Sequence, residues 1–217
     1  MDGVIVDSNP YHKKAWRLFC EQHNIFVTDE YLKTKVFGRT GEEGLANLFT
    51  KKIDDVLIAK HIEEIDKNFR DSYAQYIKPM KGLVEFLEKL KKGKIRCAIA
   101  TSAPALNIEL ILNKTGLKEY FEVIVDKTRV AKGKPDPEIY LTTAALLKVK
   151  PEECIVFEDS LSGISSAENA GMKVISITTT HSADELKHTN LVINDFSELN
   201  LSDLEIIAGQ PRPVFVK

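Results

Sequence analysis

The chain has 217 residues, with 43% hydrophobic residues and 30 Lys and Arg against 32 Asp and Glu. That length suits one or two domains with a substantial core, and that apolar content excludes dominant disorder. The formal net charge of −2 argues against a dedicated nucleic-acid binder, yet leaves room for a small phosphorylated ligand in a local positive pocket.

Residues 9 to about 78 read as helical. Pro10 to His23 carries Ala15, Leu18 and Phe19 on one side, with Trp16 nearby. Gly41 to Phe49 reads as a short helix. Ile53 to Tyr76 is long, with Ile58, Ile62, Ile65, Phe69 and Tyr73 at three- and four-residue spacing. Pro79 breaks the pattern. Helix and strand then alternate. Leu83 to Lys92 is amphipathic, and Gly93 is placed to end it. Ile95 to Ala100 is a nearly continuous apolar run, as in a strand buried on both faces of a parallel sheet. A helix over Pro104 to Lys114 follows, then strand Phe121 to Val125, helix Pro137 to Leu147 and strand Cys154 to Phe157. Helix Ser162 to Ala170, strand Val174 to Ile177 and a short strand Leu191 to Ile193 complete the series. This order predicts an α/β fold, with ligand chemistry at the C-terminal ends of the strands.

No apolar run is long enough to span a membrane. The start, MDGVIVDSNP, lacks the basic head and long apolar middle of a signal peptide. Cys20, Cys97 and Cys154 are odd in number and widely spaced, so reduced thiols in a cytoplasmic protein are expected. Cys97 and Cys154 sit in apolar runs and read as small buried hydrophobes.

The residues after each apolar run carry the candidate chemistry. Glu158 and Asp159 are adjacent acids at a strand end, which repel unless something positive neutralises them. A hard divalent cation such as Mg²⁺ does so through carboxylate oxygens and water. Asp159, Ser160 or Ser162 could equally cap the next helix, but capping accounts for one acid and not two. Thr101 and Ser102 stand where a strand becomes a helix, with Pro104 in its first turn. Backbone N–H groups there suit a phosphate, and a plain helix cap is the competing reading. Lys134 lies on a loop stiffened by Pro135 and Pro137, where it either balances charge in the site or is an ordinary exposed lysine.

Four segments together, MDGVIVDS, ATSAP, GKPDPEIY and VFEDSLSGISSAENAGM, resemble the haloacid dehalogenase-like phosphohydrolases. The resemblance is to the β-phosphoglucomutase-like branch and covers essentially the whole chain. It implies a Rossmann-like three-layer core with a mostly parallel sheet over residues 1–8 and 79–217. An all-helical cap would be inserted over residues 9–78. In this family an Asp ending the first strand attacks phosphorus and becomes an aspartyl-phosphate. A second Asp two positions later is the general acid/base. Alternate residues of an extended chain point the same way, so both face one phosphoryl group.

Residue by residue, the resemblance implies that Asp2 is the general acid/base and that its carbonyl faces the metal. It implies that Thr101, with Ser102 beside it, holds the phosphoryl group, and that Lys134 offsets negative charge. Asp159 matches a direct Mg²⁺ ligand, and Glu158 a nearby ligand or water-holder. The matching nucleophile falls immediately before Met1, so a short apolar strand and an Asp are expected upstream. A catalytically silent relative is the alternative. His12 resembles a cap-hinge histidine, or is a surface histidine on an amphipathic helix. Arg39, in Phe37-Gly38-Arg39-Thr40-Gly41, could bind substrate phosphate or sugar hydroxyls. Lys67 and Arg70 are weaker candidates that also read as a solvated helix face.

The expected function is a Mg²⁺-dependent phosphatase for a small phosphorylated metabolite of the sugar phosphate kind. A sugar phosphomutase is the second reading. Mutases of the branch carry an arginine where Gly41 stands, and a polar run where this chain has Ala103-Pro104-Ala105. A binding protein without catalysis is the third. The expected protein is a monomer that engages neither nucleic acid nor membrane.

Overall fold

The apolar stripes of residues 9–78 become four α-helices among the described residues. The computed structural model describes residues 1–37, 40–49 and 53–209. Helix α1 (Asn9–Gln22) has a proline in its first turn and buries Ala15, Trp16, Phe19 and Cys20. Helix α2 (Asp29–Lys35), too short to show a period in the sequence, is fixed at its ends. Thr28 Oγ1 accepts from Tyr31 N at 3.1 Å, and acids open the helix while lysines close it. Helix α3 (Gly41–Leu48) starts on a capping box between Thr40 and Glu43. Helix α4 (Asp55–Tyr73) is capped by Asp54 and turns Ile65, Phe69 and Tyr73 inward. The predicted ends at Ile53 and Tyr76 overran it, because the Asp54 cap sets its start. Helices α1 and α4 pack through aromatic rings, with Tyr11 stacked on Tyr73 at 4.3 Å.

The chain separates into two compact units. One is Ser8–Tyr76; the other joins Met1–Asp7 to Ile77–Lys217. The first helix of the second unit is α5 (Leu83–Lys92), which buries Leu83, Phe86, Leu87 and Leu90. Gly93 caps it with a helical φ of −75°, and Lys94 takes the left-handed conformation at φ 57°. Lys94 N then donates to Lys91 O and Ile95 N to Leu90 O, the paired bonds of a Schellman turn. That turn consumes Ile95, which is 45% exposed. Strand β1 therefore spans only Ala98–Ala100, shorter than the predicted Ile95–Ala100.

The alternation continues through α6 (Ala105–Thr115), β2 (Val123–Val125), α7 (Glu138–Leu147) and β3 (Ile155–Glu158). It ends with α8 (Leu161–Asn169), β4 (Lys173–Ile177), α9 (Ala183–Leu186), β5 (Leu191–Ile193) and α10 (Leu201–Gly209). Pro104 is the N-cap of α6 instead of a first-turn residue, with an extended ψ of 154°. All ladders are parallel, as helical crossovers require. Among the described residues they form two sheets, β1-β2 and β3-β4-β5, instead of one. Ile99 pairs with Ile124, Phe157 with Ile175 and Ile177 with Ile193. Strand β4 is buried along its whole length, as an apolar run in a parallel sheet should be. The core between helices and strands includes Val125, Ile139, Val156, Ile164 and Val174.

The buried Lys173 donates to the carbonyls of Ile207 and Ala208, which ties the end of α10 to β4. Cys20 is buried, but Cys97 and Cys154 are only partly so. Both lie just before their strands and not within them, which leaves one side open. Burial still pushes the Cys97 thiol up to about 11. Among the described residues no helix is long and apolar enough to cross a membrane.

Candidate active site

Strand β3 ends on Glu158 and the chain turns at Asp159; each is only 6% exposed. Burying an ion costs several kcal/mol after relaxation, about 3–5 when its partner is lost, so both acids need partners. Glu158 has five. Its Oε1 accepts from the Lys134 ammonium and, at 2.8 Å, from the Tyr140 hydroxyl. Its Oε2 accepts from Asp159 N at 3.1 Å, Ser160 N at 3.2 Å and Ser160 Oγ at 3.0 Å. Burial alone would raise its pKa. The charges of Lys134 and of the Met1 amino group, with the bonds from Lys134 and Tyr140, outweigh this and hold it at about 2. Burial, then the Glu158 charge, pushes the Tyr140 phenol well above its usual range.

Lys134 is held as firmly. Its ammonium lies 3.1 Å from the Tyr140 hydroxyl and 4.9 Å from that ring's centre, and its side chain is 13% exposed. The loop carrying it is tied to α8. Ser166 Oγ donates to Asp136 O at 2.6 Å, and Asn169 Nδ2 to Pro135 O at 3.2 Å.

Asp159 faces a different set. Its Oδ2 accepts from the Thr180 hydroxyl and lies 3.2 Å from Thr179 Oγ1, which also lies 2.7 Å from Gly3 O. Gly3 is at φ +66°, and a Cβ there would fall 1.9 Å from Asp159 Oδ2. Only glycine brings the Met1–Val6 turn this close to the acid. The turn is closed by Ile5 N donating to Met1 O at 2.7 Å. Asp2 is half-buried in it. The Met1 nitrogen is buried, which lowers its pKa, and it feels the charges of Asp2, Lys134, Glu158 and Asp159.

Thr101 closes β1 and is 4% exposed. Its N donates to Val125 O at 2.9 Å, and its Oγ1 accepts from Ala103 N at 3.1 Å. Ser102 is exposed. Ser160 is the cap of α8, its Oγ accepting from Gly163 N at 3.1 Å. His12 lies in the helical unit, stacked on Phe69 at 3.9 Å. In the same unit Lys67 pairs with Asp71, and Arg70 with Glu63. Arg39 lies outside the described residues.

The structure thus gathers Asp2, Lys134, Glu158 and Asp159, and adds Tyr140, Ser160, Thr179 and Thr180. Sequence reasoning had not singled out those hydroxyls as partners. For the threonines a signal existed. Thr178-Thr179-Thr180 directly follows the apolar run of β4, where strand-end chemistry is expected.

The haloacid dehalogenase-like hydrolase family model matches residues 1–177. The chain belongs to this family. It is 36% identical over 178 residues to a phosphorylated carbohydrates phosphatase of Thermotoga maritima, covering 81% of each chain. It is 27% identical over 208 residues to the chloroplastic 5-amino-6-(5-phospho-D-ribitylamino)uracil phosphatase of Arabidopsis thaliana. That match covers 95% of this chain but only 56% of the Arabidopsis protein, little more than half its length. Among solved structures, a family IA, variant 3 HAD hydrolase of Entamoeba histolytica superposes with a TM-score of 0.91. The two are 30% identical, with 97% of each covered.

Gly163, in the first turn of α8, is packed against the same buried acid. A Cβ there would lie 2.1 Å from the Glu158 carboxyl carbon. Gly163→Ala is expected to cost about 1–3 kcal/mol, as overpacking does. Urea denaturation checks this; an unchanged midpoint would mean the carboxylate turns aside freely.

Proposed function

We propose that this chain is a Mg²⁺-dependent phosphatase for a small phosphorylated metabolite of the sugar phosphate class. The observation that carries the reading is the pair of buried acids at the end of β3, with Lys134 on Glu158 and the Met1–Val6 turn packed at Gly3 against Asp159. The family and the phosphorylated carbohydrates phosphatase of T. maritima support the substrate class.

The donors around Asp159 are all oxygens: its own carboxylate, two threonine hydroxyls and the Gly3 carbonyl close by. That set fits Mg²⁺, which prefers carboxylate, carbonyl and water oxygens. Asp159 and the Asp2 carbonyl would hold the ion, which when bound supplies charge stabilisation for the phosphoryl oxygens. Glu158 is committed otherwise. Five donors occupy its roughly four lone-pair sites, so its part is to position Lys134. Lys134 then places one ammonium against the negative phosphoryl group. The Thr101 hydroxyl and the exposed Ser102 donate to its oxygens at the start of α6, where helix N–H groups favour an anion. The residue preceding Met1, an Asp in this family, enters the cluster and attacks phosphorus. Asp2 protonates the leaving oxygen and then takes the proton of the attacking water. His12 and Arg39 of the helical unit are assigned to substrate recognition.

The test compares the chain carrying an Asp immediately before Met1 with the chain carrying an Ala there. Each is offered a panel of sugar phosphates with Mg²⁺ and with a chelator. Phosphate release from the Asp form alone, lost on chelation, is expected. Isomerisation primed by a bisphosphate, with no net phosphate released, would replace this reading with a mutase. Inactivity of both forms on every substrate would leave a binding protein.

A further inference from the structure

The helical unit holds a second cluster of ligating side chains. His61 and Glu64 stand three residues apart on α4 and so share one face. His23 is the C-cap of α1. Its Nε2 lies 2.9 Å from both carboxylate oxygens of Glu64. His61 Nδ1 lies 3.5 Å from Glu64 Oε2. His61 is only 6% exposed, and among the described residues its buried Nδ1 has no hydrogen-bond partner. One ligand atom from each of the three residues lies within 4.8 Å of the others.

We propose that His23, His61 and Glu64 form a binding site for a divalent transition metal of the Zn²⁺ class. Zn²⁺ takes imidazole nitrogen and carboxylate oxygen at about 2.0–2.1 Å, which puts tetrahedral ligand atoms about 3.3–3.4 Å apart. The separations of the two imidazole nitrogens from Glu64, 2.9 and 3.5 Å, bracket that value, and the two nitrogens lie within 4.8 Å of each other. A hydrogen-bonded pair accounts for His23 and Glu64 but leaves the His61 nitrogen facing the Glu64 carboxylate without a hydrogen bond. A metal would use the lone pair of that nitrogen. Two imidazoles and one carboxylate leave a fourth position for water. The nitrogen ligands also separate this site from the strand-end acids, whose all-oxygen set suits Mg²⁺.

The surroundings fit a bound ion. The His61 ring is flanked by Phe19 at 5.1 Å and Phe49 at 5.4 Å, which exclude water from one side. The side chains of His23 and Glu64 are 30% and 31% exposed, which leaves an entry path on the other. The bound metal would join the end of α1 to the middle of α4 and stiffen the helical unit.

The test uses the full chain, dialysed against Zn²⁺ in the presence of excess Mg²⁺, with metal content read by mass spectrometry. About one Zn²⁺ per chain is expected, with a raised Tm. Asp159→Asn keeps that Zn²⁺, whereas His23→Gln and Glu64→Gln each lose it. Circular dichroism confirms that the variants remain helical. Co²⁺ substituted into the wild-type chain should give the strong visible absorption of a four-coordinate site, a readout independent of the variants. Zn²⁺ that survives both helical-unit substitutions and vanishes in Asp159→Asn overturns the proposal, as does a chain that retains none. A weak, octahedral Co²⁺ spectrum in the wild type overturns it too.

Discussion

In the form carrying an Asp before Met1, Asp159→Asn is expected to lower kcat/KM for the preferred sugar phosphate by on the order of 10³-fold or more, while leaving the chain folded. The substitution keeps the shape that Gly3 packs against and removes only the charge. The hydroxyls of Thr179 and Thr180 can still donate to the amide oxygen. Removing a buried charge beside Glu158 also relieves repulsion, so Tm should hold or rise. The loss should appear chiefly as a higher Mg²⁺ requirement, because an amide oxygen is a weaker ligand for a hard cation than a carboxylate. Steady-state rates across a Mg²⁺ titration decide the matter. An unchanged half-saturating concentration would remove Asp159 from the metal site and require another assignment for the strand-end acids.

The features readable from the sequence were those fixed by local pattern. The apolar stripe of α5 gave both its ends because burial of Leu83, Phe86, Leu87 and Leu90 and the turn at Gly93-Lys94 are neighbours in the chain. The apolar run from Ile95 overstated β1. Such a run does not reveal that its first residue closes a Schellman turn. The division of the described strands into two sheets was not readable either, since pairing depends on which strands meet in space. For the candidate site, position at strand ends singled out Asp2, Thr101, Lys134, Glu158 and Asp159, of which Lys134 and Glu158 meet directly. Their division of labour was hidden. Lys134 and Glu158 are 24 residues apart, and only folding shows that the lysine and four other donors saturate that carboxylate. His23 and His61 gave no signal, because 38 residues separate two rings that the packing of α1 on α4 brings to 4.8 Å.

The Lys134–Glu158 pair sets the largest expected effect on stability. Their side chains are 13% and 8% exposed, so solvent screens them little. Lys134→Met keeps the length of the stem and removes the ammonium. Glu158 then remains buried with neutral donors only, at an expected cost of about 3–5 kcal/mol at pH 7. The sign of the pH dependence follows from the direction of the shift. In the wild-type chain the Glu158 pKa is held at about 2, below its ordinary 4.5. The pair's contribution is thus fully present above pH 4.5 and fades as the pH falls towards 2. Without Lys134, burial dominates and the folded-state pKa moves above the unfolded one. The variant should then recover stability as the pH is lowered from 7 to 5, while the wild type does not. Urea denaturation in a chelator, which removes any divalent contribution, measures both chains across that range. A second variant carrying Lys134→Met with Glu158→Gln should regain most of the loss, since a neutral amide has no charge to strand. A pH-independent difference below about 1 kcal/mol, with no rescue by the second substitution, would show that the pair is worth no more than a surface contact.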